Sequence, residues 1–268
     1  MSLLEAALRR ERAIVAAGLA ALTLFAWVYV WQGAGMGMSA LTMTTLALFP
    51  HLTPELMPGM AMPPVAWSTV VAMWWVMMIA MMTPSGAPLV LLYGRVMRHA
   101  AAPGQTETKV VASAFLAAGY LLVWLGFSLL ATAVLYVLQR SGLVSSMMLW
   151  SRSAIFSAAL LAVAGAYQFS PLRHACLEHC RGPAQFLAQH MRSGNLGALR
   201  MGMEHGAWCV GCCWLLMSLL FVFGVMNVLW IALLAVLVLA ERLAPGGVFV
   251  GRTVGGVLIA WSIATLMV

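Results

Sequence analysis

The chain has 268 residues, 63% hydrophobic and 8% charged, with a formal net charge of +7. A soluble domain carries about 25% charged residues, so a water-facing enzyme and a disordered chain are both excluded. The fourteen basic residues are scattered between apolar blocks and form no run interleaved with aromatics. No nucleic-acid partner is expected, and the excess reads as the positive-inside bias of a membrane protein.

The apolar blocks have helix-membrane length, which predicts an all-α, polytopic transmembrane helical bundle in a lipid bilayer rather than a β-barrel. An amphipathic piece, Glu5 to Arg12, precedes a first span from Ala13 to Trp31. That span ends in an aromatic girdle of Trp27, Tyr29 and Trp31 rather than in a small-residue cleavage site, so it reads as an uncleaved helix. Residues 32–64 are rich in Gly, Pro and Met and read as an outer loop. A second span covers about Val65 to Tyr93, bent by Pro84 and Pro88. The third runs from about Val110 to Leu138 and the fourth from about Met147 to Phe169.

The polar stretch 170–206 reads as a loop, followed by an apolar run from Ala207 to Ala240. One helix of that length would be roughly 50 Å long, beyond a ~30 Å hydrocarbon core. A break at Gly224 to Asn227 divides it into a fifth and a sixth span. The last span is about Val248 to Met267. Seven spans with a cytoplasmic N-terminus leave only Arg140 and Arg152 outside among the basic residues, whereas six spans move Arg242 and Arg252 outside as well. Seven is the more asymmetric arrangement. The expectation is a single membrane domain, 1–268, in a bacterial inner membrane. Loop 32–64 would lie outside and loop 170–206 in the cytoplasm.

All five cysteines fall between Cys176 and Cys213. Ser170-Pro171 reads as an N-cap and first helical residue, and Gly182-Pro183 as a stop. On the helix between them Cys176 and Cys180 share one face, with His174 and His179 off it. Cys209 and Cys212 have C-x-x-C spacing, Cys213 adds an i,i+4 partner, and His205 lies just before. Two soft-ligand pairs at the mouths of neighbouring spans suit a thiolate metal site, with His174, His179 and His205 as nitrogen candidates. Inert packing of small apolar thiols is the competing reading. A stable disulfide is disfavoured on a reducing cytoplasmic side.

Methionine forms two further groups among its 21 residues. Met57, Met60 and Met62, with His51, are outer-loop candidates for metal capture, beside Met36, Met38 and Met43. Met73, Met77 and Met81, at four-residue spacing, form a stripe in the second span with Met78 and Met82. Each is also an ordinary adaptable core filler. Thioether and thiolate together select a soft ion, with copper as Cu(I) the physiological candidate. No Asp, Glu, Lys or Arg is expected clearly inside a span, which removes a carboxylate ion path. No catalytic residue is expected. No histidine pair lies inside a span to hold a haem.

Three stretches resemble a bacterial family of predicted metal-binding integral membrane proteins. They are Met73-Trp-Trp-Val-Met-Met-Ile-Ala-Met-Met-Thr-Pro84, the Tyr167 to Pro183 stretch with its Cys176-Leu-Glu-His-Cys180-Arg core, and Gly206 to Met217 with Cys209-Val-Gly-Cys212-Cys213-Trp, continuing to Met226-Asn227 and Glu241. The resemblance implies metal binding and names no substrate or reaction. Arg173 stands where the family is expected to have Lys.

The leading expectation is a non-enzymatic protein that handles Cu(I), by transport or by delivery to another membrane protein, with a metallochaperone as a further partner. The alternatives are a membrane thiol-disulfide oxidoreductase using Cys209 and Cys212 with Cys176 and Cys180, and an assembly partner whose cysteines bind structural zinc.

Overall fold

Lipid offers no hydrogen bonds to an unpaired backbone, so apolar blocks of this length are stable only as helices that satisfy themselves. The computed structural model describes residues 3–37, 40–44, 46–52, 66–100, 106–146 and 148–268. The side chains of 3–12, 98–100 and 106–109 are outside that description. In chain order come α1 (Leu3–Trp31), a 3₁₀ turn (Pro50–Leu52), α2 (Trp67–Ala100), α3 (Thr106–Arg140), α4 (Ala154–Tyr167), α5 (Pro171–Arg181), α6 (Pro183–His190), α7 (Gly194–Ser218), α8 (Leu220–Phe223), α9 (Val228–Leu243) and α10 (Gly247–Met267). The fold is an all-α bundle, with no named β-strand among the described residues.

Five stretches among the described residues are long and apolar enough to cross a bilayer: Ala13–Trp31, Trp67–Met97, Val110–Arg140, Gly194–Phe223 and Gly247–Met267. The α4–α5 pair, bent by 64°, makes a sixth if it is one broken span. Helix α9, which corresponds to the sixth expected span, has 16 residues, short of the ~20 that a crossing needs. The stretch 170–206, read as a polar loop with one short helix, also holds α6 and the first half of α7.

The tightest helix pair is α3 with α7. A Cβ at Gly202 would collide with the Leu116 carbonyl, and one at Gly119 with the Leu199 carbonyl. Gly206 follows Gly202 at GxxxG spacing, with Val123 and the Tyr120 carbonyl against it. Close backbone approach of this kind is how helices associate where burial of apolar surface supplies no drive. Helix α4 pairs with α10 in the same way, through Gly165 and Gly255.

Long-range hydrogen bonds define the two ends of the bundle. At one end Trp261 Nε1 donates to the Leu48 carbonyl and the Val228 N–H to Thr44 Oγ1, while Ser151 N–H donates to Val222 O and Val225 N–H to Leu149 O. Gly224, at φ 103°, makes the turn between α8 and α9 that the Gly224–Asn227 break predicts. Trp230 stacks on Phe223 there, with centroids 4.0 Å apart. Toward the other end, the Arg181 guanidinium donates to the Ala244 carbonyl at 2.6 Å, where α9 hands over to α10.

A buried thiol and arginine cluster

Ser170 caps α5 as its sequence predicts: its Oγ accepts from the Leu172 N–H at 3.2 Å, Pro171 opens the helix, and Gly182 closes it. This short amphipathic helix turns Cys176, Leu177 and Cys180 inward. Opposite lies α7, whose Gly211 leaves room for the Cys176 sulfur; a Cβ there would sit 2.9 Å from it. Tyr167 Oη donates to the Gly211 carbonyl at 2.6 Å and ties α4 to the same turn.

All five cysteines are free and buried. Cys180 of α5 and Cys212 of α7 bring their sulfurs to 4.0 Å. Metal–thiolate bonds of about 2.3 Å place two sulfurs ~3.8 Å apart in tetrahedral geometry and ~4.6 Å apart in linear geometry. The pair stands about 0.2 Å wide of the tetrahedral separation and about 0.6 Å short of the linear one. Cys209, Cys212 and Cys213 lie on one face of α7, as their spacing predicts, and the last two direct their Sγ to the Cys209 carbonyl at 3.1 and 3.0 Å. Among the described residues no three His, Cys, Asp or Glu side chains converge in a ready-made metal cage.

Sequence reasoning missed the group at the centre of this cluster. Arg242, near the C-terminus of α9, places Nη2 2.9 Å from Cys209 Sγ, 3.1 Å from Cys212 Sγ and 3.8 Å from Cys213 Sγ. Its Nη1 donates to Ser85 Oγ at 2.9 Å. Ser85 follows Pro84 in α2, where the prolines remove N–H donors from the helix ladder. The Met82 carbonyl there accepts from Ser85 Oγ at 2.8 Å and from Tyr120 Oη at 3.1 Å. Tyr120 Oη also lies 3.0 Å from Cys209 Sγ.

The expectation kept charge out of the spans, yet the bundle interior holds it on the shorter helices α5 and α9. Arg173, Glu241 and Arg242 are all buried. Arg173 pairs with Glu241 at 2.6 Å, and Gly251 provides the space its guanidinium occupies. Buried charges persist only when paired in this way. The sequence signal was available: Glu241-Arg242 ends an apolar run, where it reads as an interfacial anchor.

The three candidate histidines part company. His205 is buried on the Cys209 face of α7, one turn earlier, and its Nδ1 has no hydrogen-bond partner. His179 bonds the Ala175 carbonyl at 2.8 Å and stacks on Trp208. His174 is exposed, 3.4 Å from Glu178. His174 and His179 line a cavity of about 590 Å³ with Glu178, Arg181 and Gln185, away from the thiols.

Met73, Met77, Met78, Met81 and Met82 are all almost fully buried, in the same core as the five cysteines. Met36, Met43, Met217 and Met226 belong to that core too. His51 lies in the 3₁₀ turn, where burial lowers its pKa and favours the neutral imidazole; both ring nitrogens lack partners. Met57, Met60 and Met62, the other capture candidates, lie outside the described residues.

Fold and cluster together define a helical, membrane-competent protein with soft sulfur donors gathered in its interior. A family model described as PpoB2, a copper chaperone, matches residues 71–265. The chain belongs to this copper chaperone family, and its metal handling is copper-related. No curated protein and no solved structure matches it.

Proposed function

We propose that the protein is a membrane-embedded Cu(I) chaperone that carries its cargo on the Cys180 and Cys212 thiolates and releases it to another protein. The observation that carries this reading is the 4.0 Å separation of two buried sulfurs contributed by different helices. Soft thiolates select Cu(I) over harder ions. Cys176 and Cys209 adjoin the pair, Cys213 closes the α7 face, and His205 offers a nitrogen one turn away. His174 and His179 face the cavity instead and are assigned no ligand role.

The methionines supply a route. Met36, Met43 and Met226 belong to the aromatic end, and the stripe from Met73 to Met82 descends from there to the thiols. Thioether sites bind weakly enough to release as well as hold, which suits transfer in series. The proposed orientation has the N-terminus in the cytoplasm of a bacterium and the aromatic end outside, so the thiols lie toward the cytoplasmic face. The positive-inside bias supports it.

Copper content of the full chain, purified in detergent under reducing conditions, tests the reading. The wild type retains Cu(I) against a competing chelator, and the C180S and C212S variants lose it. Equal retention by wild type and both variants contradicts it. The same 4.0 Å pair also suits a redox dithiol. Thiol trapping with mass spectrometry separates the two: a redox cycle leaves a defined Cys180–Cys212 disulfide, whereas a copper carrier leaves thiols protected by metal.

A further inference from the structure

Between α5, α6 and the start of α10 lies the cavity of about 590 Å³. Ligand pockets span about 300–1,000 Å³, so its size suits a small molecule rather than the broad face of a protein. We infer that it binds a small peptide thiol bearing carboxylates, such as glutathione, and that this thiol exchanges Cu(I) with Cys180. The inference rests on the Cu(I) reading above and names a partner for the same thiol pair.

The lining supplies the charges and the amides that such a molecule needs. Arg181 brings a guanidinium held in place, since its Nη2 donates to the Ala244 and Pro245 carbonyls at 2.6 and 3.2 Å. It pairs with no carboxylate among the described residues, which leaves its charge for a ligand carboxylate. Glu178 is the complement for a ligand ammonium, held only by a 3.4 Å contact with His174. Gln185 and Gln189, one turn apart on α6, share a face and offer amide donors and acceptors to a peptide backbone. Leu177, Phe186 and Val248 supply the apolar part of the wall. Apolar walls with a few placed polar groups fix the orientation of one ligand.

No cysteine lines the cavity, yet its apolar wall backs onto the donors of the cluster. Leu177 lines it and packs in the core that holds Cys176 and Cys180. Cys180 lies in the chain between His179 and Arg181, both lining residues, and at 8% exposure it is the least buried of the five thiols. Phe186 lines the cavity too and meets the His205 ring edge-on at 5.2 Å, where the buried Nδ1 has no partner. The exchange moves no electrons. The incoming thiol releases its proton to water and its sulfur bonds Cu(I). The bond from Cu(I) to the Cys180 sulfur breaks, and that sulfur takes up a proton from water. The reverse reaction loads the pair.

The test is the rate at which the Cu(I)-loaded full chain, in detergent, gives up copper to glutathione, read with a Cu(I)-specific indicator dye. The rate should saturate with glutathione. S-methylglutathione, which keeps the carboxylates and amides but has no free thiol, should inhibit competitively. With 2-mercaptoethanol, a neutral thiol, the rate should rise linearly. Q185W with Q189W fills the cavity from two exposed positions. That variant should lower the saturating rate by about tenfold, with equilibrium Cu(I) affinity unchanged. Linear dependence on glutathione, with no inhibition by S-methylglutathione, overturns the inference and leaves the chaperone reading standing. A wild type that retains no Cu(I) contradicts both.

Discussion

At the aromatic end, Phe223, Trp230 and Trp261 pack against one another, and the core sulfur is thioether, from Met36, Met43, Met73, Met77 and Met226. At the level of Cys209 the core sulfur is thiol, and Arg242, Tyr120 and Ser85 join it through hydrogen bonds. Both regions are closely packed and sealed from solvent. They differ in what they ask of an ion. As proposed ligands, the first offers weak thioethers in series, and the second offers thiols beside a buried guanidinium. A gradient from weak to strong ligands is what a carrier needs to draw its cargo in one direction.

Removing the charge pairing should damage the thiol end most. Glu241→Ala leaves Arg173 buried without its partner and should cost about 3–5 kcal/mol. Detergent-solubilised thermal unfolding reads this as a large loss of stability, and a loss under about 1 kcal/mol would mean that Arg173 finds another partner.

Next in size is the double change C180S with C212S. Losing a hydrogen-bond partner of a metal ligand alone costs about 10- to 100-fold in metal affinity, so loss of both proposed ligands should exceed about 100-fold. Chelator competition measures it. The fold should survive, because serine replaces cysteine with little change of volume.

The thioether end should behave differently. Met77→Leu with Met81→Leu conserves volume and should cost under about 1.5 kcal/mol. Equilibrium copper affinity should stay near wild type. The rate at which Cu(I) added to proteoliposomes reaches the thiols should fall by about tenfold, equivalent to ~1.4 kcal/mol in barrier. An unchanged rate would reduce the methionine stripe to packing.

His174→Ala should do least. The side chain is exposed, and its contact with Glu178 spans 3.4 Å. Stability should move by less than about 0.5 kcal/mol, and copper affinity should stay level. A clear loss of copper would return His174 to the ligand set.

The elements legible from sequence are those with local punctuation. Ser170-Pro171 and Gly182 bound α5 as expected, and the positive φ of Gly224 marks the break in the long apolar run. The shared face of Cys176 and Cys180 follows from helical spacing alone. The start of α7 was hidden. Residues 194–206 are mixed in polarity because that half of the helix packs Gly202 and Gly206 against α3, so its apolar period is diluted by glycine. The site's own centre was hidden for another reason. Arg242 meets Cys209 across 33 residues of chain, and Tyr120 meets it across 89. No local period carries such pairings, and a charge closing an apolar helix reads as an interfacial anchor until the neighbours are known.

X-ray absorption at the copper edge of the Cu(I)-loaded protein tests the central claim most directly. The account predicts a sulfur-only first shell at metal–thiolate distance, low in coordination number, that disappears in the C180S and C212S double variant. A first shell of nitrogen or oxygen, or a sulfur shell unchanged by that double substitution, would contradict it.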